Sequence, residues 1–392
     1  MFVNSATNVA NYLVYTTNMT RVLHLSHTCF PDKGGAQVYL KNLMAQQSSE
    51  HEVFLAAERK YCSPENFLAL HKFNNLFCIL INNIIVLTFV YRNKIEVIHL
   101  HHSLIDTIQI YLCVKFLRLF GYHIKVILTS HGIDMAVNKR FDYGVRRTFI
   151  RRVAMSKLIK VVDNVIAISR GMYDVISQYR HETAANYKIN YIPNFITDKP
   201  LMAKSDETKT GLQNVTLLTL SGHRPIKGHQ RLLQSIMWYC EKNPSQKFIW
   251  QVGGGSGLPF NVDINKLDNL KIEPIGYVKA ELKEKYIRDA DLYVSGAHYE
   301  PYGLLIIEAL MAGTAVVTGA NTAARDISSW VQSGLHVYDE TNDDDLGVVL
   351  EQAIVKKEFY AKLDEDFDVT FNVSTYSDRL TKVYKDECNE EV

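Results

Sequence analysis

Two glutamates, Glu300 and Glu308, stand at the two ends of the stretch EPYGLLIIE. Glu308 also belongs to the apolar run LLIIEALMAG, where a carboxylate without a partner would cost several kcal/mol or lose its charge. We therefore expect some group to compensate Glu308. Spacing alone also allows plainer interpretations, namely a structural carboxylate bonded to backbone at Glu308 and an exposed loop acid at Glu300.

A predicted strand and a predicted helix place this glutamate pair. The sequence ADLYVSGA is typical of a buried strand, and Gly303 then allows a turn into a helix that runs to about Ala312. The N–H groups of Gly303, Leu304 and Leu305 at the helix start would bind an anion. Glu308 follows roughly 7 Å along the axis. A phosphate at the helix start would thus bring an attached ribose to Glu308.

A lysine and a set of histidines add further chemistry. Lys227, in PIKGHQ, would stabilise the negative charge that develops on a departing diphosphate; the plainer interpretation is one more surface lysine. His131 ends the predicted strand in TSHGID, either facing a cleft or bonded to backbone. His99, His101 and His102 end another strand, but no carboxylate or cysteine stands at ligand spacing. We interpret them as packing and cleft lining, not as a metal site.

Strands alternate with helical segments through both halves of the chain, which predicts parallel sheets covered by helices. The first series is RVLHLSHTCF, IEVIHLHHS, IKVILTSHG, NVIAIS and INYIPN, and the second is VTLLTLSG, KFIWQVGGG, LKIEPIGYV, ADLYVSGA and TAVVTGA. The fold class is therefore α/β, with two tandem Rossmann-like, doubly wound domains. Ligands of such sheets bind outside the carboxyl ends of the strands, so we expect the site in the cleft between the domains.

The predicted domain limits follow from these patterns. Residues 1–19 lack periodicity, which predicts a disordered extension or a start at Met19 in place of Met1. The predicted segments after it are an N-terminal Rossmann-like domain over 20–198, a polar linker over 199–214, a C-terminal Rossmann-like domain over 215–372, and a helix with an acidic tail over 373–392. Packing of that last helix back onto the first domain is one option.

Composition narrows the class of protein. The chain has 392 residues, of which 47% are hydrophobic and 22% charged, as in a globular protein. No leader pattern is visible, and six cysteines without CxxC spacing indicate reduced cytoplasmic thiols. The most apolar window, from Leu76 to Val90, is interrupted by Asn82 and Asn83 and falls short of the roughly 20 residues of a membrane span. We predict a buried helix there.

Charge is divided unevenly along the chain. Residues 1–198 hold 22 basic and 13 acidic residues, whereas residues 199–392 hold 21 basic and 29 acidic residues. The first half should therefore meet an anionic partner. Within it, Lys139–Lys160 carries eight basic residues and one acid, which indicates either a solvated helix or docking to an anionic membrane surface. Nucleic acid is a poorer partner, because basic and aromatic residues do not interleave and the total charge is near neutral.

Taken together, these motifs resemble the retaining GT-B glycosyltransferases of the family-4 type, whose Glu–seven residues–Glu motif matches Glu300 to Glu308. Other features stand in the family's order over roughly residues 20–385: the GGA loop, VIHLHH, TSHG, VDNVIAIS, YIPNFITD, RPIKGHQRLL, the glycine loop and IGYV. The resemblance implies transfer of a sugar from a UDP- or GDP-sugar, with retention, to a hydroxyl of a glycan or lipid-linked acceptor. It also suggests cell-surface polysaccharide or lipopolysaccharide biosynthesis, on the cytoplasmic side and peripheral to the membrane.

The resemblance implies a role for individual residues. Glu308 would hold the donor ribose, Glu300 would sit by the transferred sugar, and Lys227 would neutralise the diphosphate. His131 would face both the acceptor and the transferred sugar. The resemblance makes the domain over 20–198 the acceptor-binding domain and the domain over 215–372 the nucleotide-sugar-binding domain. The other implied donor-binding residues are Gly34, Gly35, Arg224, Gly276, Tyr277, Tyr302, Gly303, Leu304 and Leu305. The implied acceptor-binding residues are His101 and Asn194.

The sequence departs from the family pattern at Gly222, where an Arg usually stands five residues before Lys227; Arg224 would substitute. Gly253–Gly255 reads either as a nucleotide loop or as a strand-to-helix turn. The acidic runs TNDDDLG and LDEDFDV do not end buried strands, so we expect neither a metal nor another cofactor. The alternative function is a catalytically inactive, sugar-nucleotide-binding partner subunit of the same fold. The other enzyme alternatives are a phosphorylase-like or an epimerase-like protein of the same fold; the former would need a pyridoxal lysine, for which the sequence offers no context.

Overall fold

A computed structural model describes residues 19–26, 35–58, 66–72, 75–101, 103–132, 135, 144, 149–196, 214–260, 267–320, 322–339, 341–342, 345–356 and 358–387. Several predictions lie outside these residues. They are those on the extension before Met19, on Gly34 and His102, on most of 139–148, on the linker up to residue 213, and on the tail after residue 387.

The first half forms a seven-stranded parallel sheet of order β3-β2-β1-β4-β5-β6-β7. Its strands are β1 (Arg21–Leu25), β2 (Glu52–Glu58), β3 (Phe67–Leu70), β4 (Val97–Leu100), β5 (Lys125–Ser130), β6 (Asn164–Ala167) and β7 (Lys188–Tyr191). Its helices are α1 (Gly35–Gln47), α2 (Leu76–Asn93), α3 (Ser103–Leu119), α4 (Phe149–Leu158) and α5 (Arg170–Thr183).

Alternate residues of these strands pack into separate cores, as expected when successive side chains point to opposite faces of a sheet. Leu23 of β1 packs with residues of α2 to α5, whereas Val22 packs with α1 and with the C-terminal helix α12 (Val373–Tyr384). The helices α2 to α5 therefore cover one face of the sheet, and α1 and α12 cover the other.

The second half forms a six-stranded parallel sheet of order β10-β9-β8-β11-β12-β14. Its strands are β8 (Asn214–Leu220), β9 (Lys247–Gly253), β10 (Leu270–Gly276), β11 (Leu292–Val294), β12 (Ala315–Gly319) and β14 (Leu335–Tyr338). Its helices are α6 (His229–Lys242), α7 (Ala280–Asp289), α8 (Leu304–Met311), α9 (Thr322–Ile327) and α10 (Asp345–Val355). A small antiparallel pair, β13 (Val331–Ser333) with β15 (Lys362–Leu363), and the short α11 (Phe367–Thr370) follow its edge. The prediction of two doubly wound parallel α/β sheets is confirmed.

The prediction of a buried helix over Leu76–Val90 is wrong about burial. A helix forms there as α2, but its inner side holds the polar pair Asn82 and Asn83, and much of its apolar surface is exposed. Among the described residues, α2 is the one helix long and apolar enough to cross a membrane. Only 28% of this 18-residue helix is buried in the protein. The two asparagines face inward because α3 and the loop before α2 supply their hydrogen-bond partners.

The C-terminal helix α12 lies against the first sheet and α1. The Tyr384 hydroxyl accepts a hydrogen bond from Gln47 at 3.1 Å and lies 2.8 Å from Nδ1 of His99. The Lys125 ammonium donates to the Tyr384 carbonyl oxygen at 2.6 Å, and the hydroxyls of Tyr39 and Tyr376 are hydrogen-bonded. The end of the chain thereby closes the core on this face of the first sheet.

Candidate active site

The loop between β11 and α8 lies between the carboxyl ends of the two sheets. On the side of the first sheet, the Ser169 hydroxyl donates to the Pro301 carbonyl oxygen at 2.8 Å, and the Tyr302 hydroxyl donates to the Asn194 carbonyl oxygen. A Cβ added to Gly132 would lie 2.6 Å from the Pro301 ring, so the end of β5 touches the same loop. This is the cleft in which the sequence predicts the site.

Glu300, in this loop, holds two donors at once. Its Oε2 lies 2.7 Å from the Lys227 ammonium, and its Oε1 accepts a hydrogen bond from the Gly303 N–H at 3.2 Å. The side chains of Lys227 and Glu300 are only 19% and 21% exposed, so the pair is less screened than a surface ion pair. The Glu300 carboxylate thus binds the Lys227 ammonium and the Gly303 amide, the two groups that the sequence analysis assigns to a donor phosphate.

A close backbone contact holds Lys227 in this position. The turn Pro225–Lys227 ends at Gly228, whose φ is +64°, and a Cβ there would lie 1.8 Å from the carbonyl oxygen of Gly296. The His298 N–H donates to the Ile226 carbonyl oxygen at 2.9 Å. The turn that carries Lys227 is therefore packed directly on the loop that carries Glu300.

Glu308 has a partner that the sequence analysis missed. Its Oε1 lies 2.7 Å from the ammonium of Lys283 on α7, and the two side chains are 17% and 25% exposed. Lys283 therefore supplies compensation for the carboxylate in the apolar helix without any bound ribose. The stretch AELKEKYIRDAD holds two lysine or arginine residues besides Lys283 in a helix of mixed charge, and its pattern gives no sign that one of them reaches Glu308.

The start of α8 is built as predicted, with one difference. Gly303 caps the helix with φ +80°, and α8 begins at Leu304. The Gly303 N–H already donates to Glu300, whereas the N–H groups of Leu304 and Leu305 lie in the first turn, where no intrahelical acceptor exists. Of the three predicted amides, the first is thus engaged by the protein's own carboxylate.

The Tyr302 side chain does not line the donor side of the cleft. It is buried, and its hydroxyl donates to the carbonyl oxygen of Asn194, which follows β7 of the first sheet. Burial raises the pKa of the Tyr302 hydroxyl well above its ordinary value. A donor contact of Tyr302 would thus be limited to its backbone. Asn194 is also buried, and its side-chain oxygen has no hydrogen-bond partner among the described residues, as suits a group that meets an acceptor.

The glycine loop after β9 packs against its neighbours. A Cβ at Gly254 would lie 2.1 Å from the Ser221 carbonyl oxygen, and one at Gly255 would lie 2.5 Å from the His223 ring. The Gly254 N–H donates to the carbonyl oxygen of Gly276, whose φ is +68°. Close approach between strand ends therefore accounts for these glycines, which favours a tightly packed turn.

Two residues predicted to contact the donor lie at the surface near these turns. Tyr277, directly after β10, is 61% exposed, so a large part of its side chain is open to a nucleotide base. Arg224 is also exposed, and its N–H donates to the Gly222 carbonyl oxygen at 2.8 Å. A Cβ at Gly222 would meet no atom within 4 Å, so there is room for the side chain that the family pattern expects there.

His131 follows β5 directly and is half-buried. Its ring centroid lies 5.1 Å from that of Tyr39 and 6.1 Å from that of His101, which is itself buried after β4. The next residue, Gly132, contacts the loop that carries Glu300. His131 is thereby brought to the cleft. Gly35, the other predicted residue from this half of the chain, is the first residue of α1.

Three buried histidines, His24, His99 and His101, place ligand atoms within 4.8 Å of one another, and His24 was missed by the sequence analysis. His24 bonds Gln47 and His101 through its two nitrogens, and His99 bonds Tyr384 and Thr129 in the same way. Burial lowers the pKa of His24 to about 4 and that of His99 well below its ordinary value. With these nitrogens engaged by protein groups, the cluster fits a hydrogen-bond network better than a metal site.

Comparison with known proteins gives two family matches. Residues 33–199 match the model of Glycosyltransferase Family 4, and residues 205–367 match that of Glycosyl transferases group 1. A curated relative, mannosylfructose-phosphate synthase of Agrobacterium fabrum, is 26% identical over 190 residues, which make up 45% of this chain and 42% of that protein. The match thus spans less than half of the relative's length.

Solved structures share the fold across almost the whole chain. A sucrose-phosphate synthase from Thermosynechococcus elongatus superposes with a TM-score of 0.70 at 14% identity, over 94% of this chain and 99% of that one. A lipopolysaccharide outer core galactosyltransferase superposes with a TM-score of 0.66 at 13% identity, over 94% and 100%. At such identities the likeness establishes the GT-B fold alone.

Proposed function

Because the chain belongs to the group 1 glycosyltransferases of the family-4 type, we propose that it is a retaining hexosyltransferase that uses a UDP- or GDP-sugar. The observation that carries the proposal is the contact of Glu300 with both Lys227 and the start of α8, in a loop held between the two sheets. A cation, helix amides and a carboxylate there match the needs of a departing diphosphate and a transferred sugar.

The donor diphosphate would bind at Lys227 and at the N–H groups of Leu304 and Leu305. Binding would exchange one anion for another, since Glu300 holds Lys227 in the donor-free protein. The released carboxylate would then turn to the hydroxyls of the transferred sugar. Glu308, steadied by Lys283, would accept hydrogen bonds from the ribose.

Transfer would proceed on one face of the sugar. The acceptor oxygen attacks C1 as the bond from C1 to the diphosphate oxygen breaks, and the acceptor proton passes to that departing oxygen. Lys227 and the helix amides stabilise the negative charge that develops on the diphosphate. His131 would orient the sugar and the acceptor from the first unit. We assign no covalent nucleophile.

The acceptor we propose is a hydroxyl of a glycan or of a lipid-linked sugar, in cell-surface polysaccharide or lipopolysaccharide biosynthesis. Support comes from the fold shared with a lipopolysaccharide galactosyltransferase and from the basic first half of the chain. Such an acceptor would place the enzyme on the cytoplasmic face of a membrane, with Lys139–Lys160 as one contact. The name of the curated relative makes a sugar phosphate the acceptor to compare in the same assay.

We also propose that the reaction needs neither a metal nor another cofactor, because Lys227 and the helix start supply the positive charge at the diphosphate. Turnover should therefore be the same with EDTA and with added Mg²⁺ or Mn²⁺. A loss of activity in EDTA that Mg²⁺ or Mn²⁺ restores would contradict this part of the proposal.

A thermal-shift panel of UDP- and GDP-sugars tests the proposal and identifies the donor. A ligand at 100 times its Kd stabilises the folded state by about 2.7 kcal/mol, which raises the melting temperature measurably. We expect one nucleotide sugar to raise it in the parent and to do so less in Glu308→Gln. No shift with any donor would contradict the whole proposal.

The rival function is a partner subunit that binds sugar nucleotide without catalysis, for which Gly222 in place of Arg is the support. Such a protein would also give a thermal shift, so turnover decides. An active glycosyltransferase should release nucleoside diphosphate when the donor is supplied with an acceptor, whereas the rival predicts a shift with no release for any glycan, lipid-linked or sugar-phosphate acceptor.

A further inference from the structure

Helix α2 is apolar on the side that faces solvent as well as on the side that faces the protein, where Val86 and Val90 are buried in the core beside two asparagines. Asn82 and Asn83 face the protein and bond His71, Gln109, Ile108 and Cys113. The exposed stripe is also apolar: Phe77 is 69% exposed and Ile84 61% exposed, with Leu80 between them. These residues recur at the spacing of a single helix face, so the stripe is continuous.

The neighbouring helices extend this stripe into a surface. Among the described residues, 18 large apolar side chains are exposed, and 11 of them belong to α2, α3, α4 or the residue after α3, although these form a minor part of the molecule. We call this surface the α2–α4 face. Its apolar members are Leu76, Phe77, Leu80, Ile84, Tyr91, Leu112, Phe116, Leu119, Phe120, Phe149 and Val153.

The same three helices are strongly basic. Together α2, α3 and α4 contain six lysine or arginine residues, of which Arg118 is paired with Asp163, and a single acid, Asp106, which is buried. Arg151, Arg152 and Lys157 of α4 are exposed beside Phe149 and Val153. Apolar and aromatic side chains with a basic surround and no exposed acid on the helices are the chemistry of an interfacial surface.

We propose that the α2–α4 face docks the protein on an anionic lipid bilayer, with the apolar side chains of α2 and α3 entering the interface and the basic side chains of α4 contacting the head groups. The surface lies on the first sheet's side of the molecule and includes α4, which belongs to the basic segment Lys139–Lys160. The apolar helices α2, which the sequence predicts as buried, and α3 make the main contact. This inference rests on the proposed membrane location of the acceptor, but not on the chemistry of transfer.

Charge favours a bilayer over a second copy of this chain as the occupant. In a two-fold dimer the same surface patch contacts its own copy. The arginines of α4 in one copy would then approach the basic residues of α3 or α4 in the other copy, and no exposed acid on these helices would neutralise their charge. An anionic bilayer instead offers negative charge to every basic residue, and it buries apolar side chains of any shape.

Sedimentation of the full chain with vesicles tests the proposal. The protein should bind vesicles of equal parts phosphatidylglycerol and phosphatidylcholine at low salt, and bind pure phosphatidylcholine much less. Phe77→Ser/Ile84→Ser should lower the fraction bound by about tenfold or more. Arg151→Gln/Arg152→Gln should lower binding by about fivefold for each charge removed.

Matched controls separate docking from misfolding. Val355→Ser changes an equally exposed apolar residue on α10 of the second unit and should leave vesicle binding unchanged. A Phe77→Trp variant should be quenched by brominated lipid, whereas Val355→Trp should not, because only the first would enter the bilayer. The three native tryptophans all lie in the second half of the chain and serve as the background.

Three results would overturn the proposal: no binding of the parent to anionic vesicles, equal binding by Phe77→Ser/Ile84→Ser, or self-association of the vesicle-free protein that this double variant abolishes. The nucleotide-sugar thermal shift, measured on the same variants, keeps the two proposals apart. If a nucleotide sugar still raises the melting temperature but the protein does not bind vesicles, only the docking proposal is contradicted. If the protein binds vesicles but no nucleotide sugar raises the melting temperature, only the proposed reaction is contradicted.

Discussion

At the scale of single residues, the site is organised by two ion pairs, Lys227 with Glu300 and Lys283 with Glu308. In the proposed reaction, the first carboxylate would compete with a phosphate for its cation, and the second would lie beside the ribose. The two glutamates of one motif should therefore respond differently to substitution.

The first prediction concerns Glu300→Gln. Removing the carboxylate charge frees Lys227 for phosphate, so the variant should bind nucleoside diphosphate a few-fold more tightly, by roughly 0.5–1 kcal/mol for a partly buried pair. Its turnover should fall at the same time, because the group beside the transferred sugar is lost. Titration calorimetry with the nucleoside diphosphate measures the affinity; a tenfold weaker complex would show that Glu300 itself holds the diphosphate.

The second prediction concerns the pair on α7 and α8. Lys283→Met leaves the Glu308 carboxylate in a largely apolar helix without its ammonium, and should lower the free energy of unfolding by roughly 1–3 kcal/mol. Lys283→Met/Glu308→Gln should recover part of that loss. Urea unfolding of both single variants and the double variant measures the coupling, and strictly additive losses would mean that the pair does not act together.

At the scale of the elements, the turn at Gly228 decides where Lys227 lies. Gly228→Ala places a methyl group 1.8 Å from the Gly296 carbonyl oxygen at a positive φ, so the turn must shift away from the Glu300 loop. We expect a loss of about 2 kcal/mol or more in unfolding free energy, together with lower turnover. Gly222→Ala, where the added Cβ meets no atom, should change stability by less than about 0.5 kcal/mol. Equal effects of the two substitutions would contradict this account.

Much of this element-level picture could be predicted from the sequence. Apolar runs followed by glycine and polar residues predict β11, the turn at Gly303 and α8, because these signals are local. The short edge strand β3 was not predicted, and neither was β2, which follows α1 after only four residues. Lys283 and the burial of Asn82 could not be predicted, because each depends on a partner from another element.

At the scale of the whole molecule, the return of α12 to the first sheet ties the end of the chain to a buried histidine network. Burial lowers the pKa of His24 from 6.5 to about 4, so the folded state holds this imidazole neutral. The unfolded chain binds the proton at a higher pH than the folded chain does. The resulting stability is present above pH 6.5 and is lost progressively as the pH falls to about 4.

The corresponding prediction is a loss of about 2 kcal/mol in unfolding free energy between pH 7 and pH 5 from His24 alone. His24→Gln should flatten that dependence by a similar amount, whereas substitution of the exposed His123 should not. Urea denaturation curves at the two pH values measure the difference. A parent protein equally stable at both would mean that His24 is not held neutral.

The central claim is that the cleft between the two sheets transfers a sugar with Lys227 and Glu300 at the reacting centre. The measurement that tests it most directly is the release of nucleoside diphosphate by the parent, Lys227→Ala and Glu300→Ala, each given the donor found by thermal shift and an acceptor. We predict that each substitution lowers kcat by about 100-fold or more while the fold is retained. Full turnover by both variants in an active preparation would contradict the account.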